Sequence, residues 1–259
     1  MSTDQNSPNW LNASAQTAHS ALLVDRASLV TADDYRDVFR QICTNRYFTN
    51  HGPLAKQFEQ MLEDFLEIEN VVSVGNESLA LLIAIAGLNL TGDVIVPAFR
   101  GQLPTQICKR LGLRVRHCDV DPETHQASIE SVSGMINDST EAVCIIETWG
   151  NRCDQRMVEW LCQKGIRVIV LAIDSFGSAT DGRFVTRGDR VVTVYGFGPH
   201  QIVSANQGGA IAVSDNQLAE RYRNIRSSYG TRSKVDVKAT CNGRFSEFQA
   251  GVGIASFQY

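Results

Sequence analysis

His200 carries the side chain in this sequence best suited to moving a proton near neutral pH, because an unperturbed imidazole titrates there. It lies a few residues beyond the apolar run Val191–Tyr195, across Gly196-Phe197-Gly198-Pro199. Polar or unusual residues also follow other apolar runs: Gly75-Asn76-Glu77-Ser78, Pro97–Gly101, Trp149-Gly150-Asn151 and Asp174. His117 falls in a strand pattern and His125 in a polar loop, so both read as structural or solvent-facing. No Ser–His–Asp order and no metal-ligand spacing stands out. The seven cysteines are odd in number and widely spaced, without a C-x-C or C-x-x-C pair, which argues against zinc or an iron–sulfur cluster. Several lie in apolar runs, as Cys144 does between Val143 and Ile145, and read as small buried hydrophobes in a reducing, cytoplasmic setting.

These residues can act together only if the strands present them at one edge. Turn residues Thr49–Pro53 separate a helical stretch, Tyr35–Ile42, from a second helix over Leu54–Leu66 with apolar residues at Phe58, Met61, Leu62 and Phe65. Strands are expected at Val71–Val74, Asp93–Val96, Val115–Val120, Ala142–Glu147, Ile166–Ile173, Val191–Tyr195 and Ala210–Val213. Helices are expected at Ser78–Leu88, Leu103–Leu111, Ile129–Ile136, Gln155–Gln163, Asn216–Arg226 and Phe245–Ser256. Nearly continuous apolar strands alternating with helices predict an α/β fold, a mostly parallel sheet with helices on both faces. Ligands of such sheets gather beyond the carboxyl ends of the strands, where the polar residues above would fall.

The 259 residues suffice for one large domain, and 43% hydrophobic residues give it a core. A net charge of −4 without a basic run argues against nucleic acid or an anionic membrane surface as partner. No apolar stretch reaches the roughly 18 residues a membrane span needs. Residues 1–28 read as a polar flexible leader without the pattern of a secretory signal, and 29–259 as the folded domain.

The strand-end residues, in order, resemble the DegT/StrS sugar aminotransferase family. Val74-Gly75-Asn76-Glu77-Ser78-Leu79-Ala80-Leu81 is similar to its N-G-T-x-A-L phosphate loop. Val94–Phe99, Asp119–Thr124, Gly150-Asn151 and Gln207-Gly208-Gly209-Ala210 resemble further family segments, as do Gly52-Pro53 and Phe58-Glu59 upstream. Asn242-Gly243-Arg244-Phe245-Ser246-Glu247-Phe248-Gln249-Ala250 matches its N-G-R-x-S-E-F-x-A helix start. The resemblance implies the three-layer large domain of a fold-type I aminotransferase, with the C-terminal small domain absent. It further implies pyridoxal or pyridoxamine phosphate as cofactor and nucleotide-linked keto sugars as substrates. The partner it implies is a second copy, or a family member in a heterodimer, with the cofactor at the interface.

Carried over residue by residue, the resemblance puts His200, eight residues before Gly208, where the family has its Schiff-base lysine. An imidazole forms no aldimine, so ordinary transamination should be lost. Leu171 falls at the carboxylate that faces the pyridine nitrogen, and Asp174 could replace it only if the strand ran three residues longer. Gly101 takes the place of the stacking aromatic, with Phe99 expected in the core. Asn76, Glu77 and Ser78 form the phosphate loop. Glu77 there repels a phosphate dianion, while Ser78 either keeps the family's hydroxyl or caps the helix. Tyr195 replaces a small hydroxyl residue and would fill cofactor space. Asn242 either reaches a partner's phosphate or serves as a turn residue. Arg244 and Glu247 serve helix and dimer structure, and Trp149 either faces substrate or is a buried anchor. Lys234 and Lys238, in a polar loop, are poor substitutes for the lost lysine.

Two functions remain open on this reading. One is a catalytically degenerate family member. The other is a pyridoxamine-phosphate-dependent keto-deoxysugar 3-dehydratase with His200 as base.

Overall fold

The structure, a computed structural model, describes residues 30–180, 182–228, 231 and 233–259, so the polar leader expected at 1–28 lies outside the described residues. Seven strands form one sheet in the order β1-β7-β6-β5-β4-β2-β3: β1 (Val71–Val74), β2 (Asp93–Pro97), β3 (Arg114–Cys118), β4 (Thr140–Ile146), β5 (Arg167–Leu171), β6 (Val191–Gly196) and β7 (Gly209–Ala212). Strand β7 runs antiparallel to both β1 and β6, and the remaining pairings are parallel. The mostly parallel sheet read from the sequence is therefore present.

Alternation along the strands divides the core into two layers. Val143, Ile145, Val168, Val170 and Tyr195 face the layer built by helices α1 (Ala32–Asn45), α2 (Pro53–Leu66), α6 (Gln155–Gln163) and α8 (Glu247–Ser256). Val94, Val96, Cys144, Ile169, Leu171 and Val194 face α3 (Glu77–Gly87), α4 (Gln102–Arg110) and α7 (Asn216–Ser227). The edge strand β3 is the polar exception: Arg114, Arg116 and His117 keep it partly solvated, which discourages pairing with another chain.

Element ends differ from expectation where local hydrogen bonds intervene. Helix α5 (Ile129–Ser133) stops at Gly134 instead of continuing to Ile136. Helix α8 begins at Glu247 rather than Phe245, because Ser246 is its N-cap and forms a capping box with Gln249. Strand β5 closes at Leu171, so Asp174 belongs to the following loop and the strand does not run three residues longer.

The helix start that opens α8 also secures α2. The buried Glu247 carboxylate accepts hydrogen bonds from the Leu54 and Ala55 backbone N–H groups, at 3.0 Å each. A carboxylate satisfies unpaired donors at a helix N-terminus and is favoured by the helix dipole. Glu247→Ala should therefore lower stability by at least about 2 kcal/mol in chemical denaturation, since two buried donors lose a charged acceptor. Glu247→Gln, which keeps one carbonyl oxygen, should lose less.

Behind this contact, Glu59 Oε1 accepts from Ser73 N at 2.9 Å, Ser73 Oγ at 2.7 Å and the buried Arg226 guanidinium at 2.8 Å. His51 Nε2 lies 3.1 Å from Ser227 Oγ. Burial, reinforced by the charge of Arg226, pushes the His51 imidazole down to about 4. The unfolded chain thus binds a proton between about pH 6.5 and 4 that the folded chain refuses. Stability from this group is present above pH 6.5 and drains away as pH falls through that window. His51→Asn, which tolerates the positive φ of 60° at this position, should flatten the fall in unfolding midpoint across the same range.

Candidate functional site

The carboxyl ends of the parallel strands and the head of α3 converge on one side of the sheet. Asn76, extended at φ −162°, caps α3, its Oδ1 accepting from Leu79 N at 2.8 Å. The cap is therefore Asn76 and not Ser78, because the helix starts one residue earlier than its apolar pattern suggests. Ser78 is left exposed in the first turn.

Helix α3 comes this close to the sheet because two glycines face it. Gly196 and Gly209 are register partners of β6 and β7. A methyl on Gly209 would stand 2.8 Å from Asn76 O, and one on Gly196 only 2.7 Å from Glu77 Oε2. Glu77 thus folds its side chain down over the bare backbone of Gly196. Gln249 of α8 fastens the same region from behind, its side-chain N–H group donating to Gly75 O at 2.9 Å and Gln207 O at 2.8 Å.

Glu77 shares this place with Arg100 and Asp174. The guanidinium of Arg100 pairs with the Asp174 carboxylate, joining the loop after β2 to the loop after β5. Burial pushes the Glu77 carboxyl up, the Asp174 charge adds to the rise, and Arg100 opposes it. Arg100 pairs with Asp174, and Glu77 lies within the field of both charges. The sequence pointed to Arg100 only within the Pro97–Gly101 segment and not to this cluster. The clue was available, since Arg100 and Asp174 both follow apolar strands.

His200 stands on the opposite wall, exposed, in the loop between β6 and β7. A hollow of about 460 Å³ opens between it and α3, lined by Asn76, Glu77, Ser78, His200, Gln201 and Gln207 with glycine backbone between them. The described residues that line it include no Lys or Arg.

The other expected site residues divide. Leu171 ends β5, buried on the α3 face, where its neighbours are apolar. Tyr195 does not fill the hollow: strand alternation turns its ring to the other layer, edge-on to Phe176, while Gly196 faces α3. Asn242 lies exposed in the loop before α8, outside the hollow. Arg244 donates to Ser227 O at 2.8 Å, a tie within this chain.

The aromatic residues of the strand-end loops also depart from expectation. Phe99 is not a core residue but is 36% exposed, and Trp149 is no buried anchor at 63% exposure. With His125 they form one ring cluster, centroids 5.1–5.8 Å apart. Sequence reading had left His125 in a polar loop alone.

A second unforeseen group lies beneath. The fully buried Glu147, just past β4, accepts from Ser175 Oγ and from Cys153 N at 3.1 Å, and pairs with Arg152 at 3.3 Å. Arg152 in turn donates to Phe184 O at 2.7 Å, so this network holds the loops that carry Asp174 and Trp149.

Residues 31–259 match the sequence profile of the DegT/DnrJ/EryC1/StrS aminotransferase family. The chain belongs to that family. It is similar to the dTDP-4-amino-4,6-dideoxy-D-glucose transaminase of Shigella dysenteriae, 25% identical over 241 residues, covering 92% of this chain and 65% of that protein. GDP-perosamine synthase of Vibrio cholerae is 26% identical over 219 residues, 82% of this chain and 59% of its own. Among solved structures, DesI in the presence of its TDP-sugar product superposes with a TM-score of 0.83 at 25% identity, over 92% of this chain and 60% of that one. The chain thus spans less than two thirds of the length of these relatives. The fold is that of the fold-type I sugar aminotransferases, a pyridoxal-phosphate-dependent family. Among the described residues no helix is long and apolar enough to cross a membrane, and no cluster of potential metal ligands occurs.

Tested against the family's cofactor, the residues present do not fit. The loop expected to cradle a phosphate dianion presents the Glu77 carboxylate, and the hollow's lining supplies no cation against it. Leu171, expected from the resemblance to face the pyridine nitrogen, is apolar and buried among apolar neighbours. Gly101 leaves no room for a stacking ring, since a Cβ there would lie 1.9 Å from Pro97 O. Gly101→Phe should accordingly destabilise the fold by about 1–3 kcal/mol, read as a lowered denaturation midpoint, because the backbone before α4 must move to admit it.

Proposed function

We propose that this chain is a sugar-aminotransferase-family protein of the nucleotide-sugar type that has lost ordinary transamination. The observation that carries the reading is the hollow itself, in which His200 and Glu77 stand on facing walls. One position that would need an amine holds an imidazole, and one that would need to attract phosphate holds a carboxylate. Leu171 and Gly101 support the same reading. Its relatives' names point to amino-sugar pathways as the setting, and a second copy or a family member as partner follows from the resemblance. Residues 29–259 form the large domain on this reading.

A second reading has one observation in its favour. His200 lines the hollow and is exposed, as a base acting on a bound keto sugar would be. This is the pyridoxamine-phosphate 3-dehydratase reading, and it needs that cofactor to bind beside Glu77.

Titration of the purified protein with pyridoxal phosphate and with pyridoxamine phosphate, followed by absorbance and calorimetry, separates the two. The degenerate reading expects saturable binding of neither. In addition, His200→Lys should give no aldimine absorbance band, since a lysine alone leaves Glu77, Leu171 and Gly101 in place. Tight pyridoxamine-phosphate binding that His200→Asn leaves intact while abolishing proton exchange at the sugar C3 would establish the dehydratase instead.

A further inference from the structure

The hollow beside His200 is built for a charge opposite to that of a phosphate. Its one acidic side chain is Glu77, half-buried at the head of α3 and folded over Gly196. The nearest guanidinium, Arg100, is already engaged by Asp174, so the strand ends carry two carboxylates for one cation. The rest of the lining is neutral or basic only through the imidazole: the Asn76, Gln201 and Gln207 amides and the Ser78 hydroxyl. Amides and hydroxyls exchange hydrogen bonds with ligand hydroxyls in either direction, whereas an unpaired carboxylate removed from bulk water favours an ammonium donor. At about 460 Å³ the hollow falls in the size range of small-molecule sites.

We propose that this hollow binds a small primary amine carrying several hydroxyl groups, its ammonium on Glu77 and its hydroxyls on the Gln201, Gln207 and Ser78 side chains. The proposal rests on the reading that no phosphate cofactor occupies the hollow. It goes beyond that reading by assigning the hollow a ligand class and Glu77 the selecting role.

The test compares two probes of nearly equal shape by calorimetry on the full chain near neutral pH and low salt: glucamine, a six-carbon polyol ending in a primary amine, and sorbitol, which ends in a hydroxyl. Glucamine should bind saturably and sorbitol at least tenfold more weakly. Inorganic phosphate should show no saturable binding. Glu77→Gln should bring glucamine down to the level of sorbitol while leaving sorbitol unchanged. Equal binding of the two polyols, or no binding of glucamine, overturns the proposal on the wild-type protein alone, whether or not the variant folds. Undiminished glucamine binding by a folded Glu77→Gln protein also overturns it. Pyridoxamine-phosphate binding that glucamine does not displace would instead count against the degenerate reading. The two failures are therefore distinguishable.

Discussion

Two bare glycines, Gly196 and Gly209, paired across β6 and β7, fix where α3 can lie, and the site follows from that. Side chains at either position would collide with the first turn of the helix. With both absent, Asn76 and Glu77 settle onto the sheet backbone, and the head of α3 becomes one wall of the hollow. Gln249 holds the opposing segments from the far layer, so the wall is braced on both sides. Packing this close removes water from the Glu77 carboxylate, which is why its proton affinity rises.

The electrostatics of the strand ends then differ in kind from those of an anion-binding cradle. A helix N-terminus offers unpaired N–H groups to any acceptor. Here a residue of the helix itself brings the negative charge. Asp174 adds a second, and Arg100 bridges the loops without relieving both. The buried Glu147–Arg152 network keeps those loops in position from below, with its charges satisfied by Ser175, Cys153 and the Phe184 carbonyl. Removing one partner of such a buried pair leaves the other charge uncompensated, so these loops depend on both residues together.

Most of the fold was legible in the residues. Apolar runs such as Val71–Val74 and the periodic stretch Gln155–Gln163 gave their elements with matching ends, because burial there depends on local pattern alone. The ends that shifted did so through hydrogen bonds that pattern does not encode, a capping box at Ser246 and three-residue turn bonds from Met135 and Ile136 after Gly134. The site was legible as a set of positions but not as a set of contacts. Glu77, His200 and Leu171 were found one by one, and the layer each occupies followed from alternation once the strands were known. The pairing of Arg100 with Asp174 and the ring cluster of Phe99, His125 and Trp149 both depend on which strands are neighbours. That order, β5 beside β4 and β4 beside β2, is a property of the whole chain.

The Glu247 contact has a consequence for how the chain reaches this structure. The carboxylate that satisfies the first turn of α2 arrives from about 190 residues further along, and β1 likewise waits for β7. Neither α2 nor β1 can complete its hydrogen bonding until α8 and β7 have been synthesised. Contacts of such long sequence separation are formed against a large loss of chain entropy, which places them among the last to close.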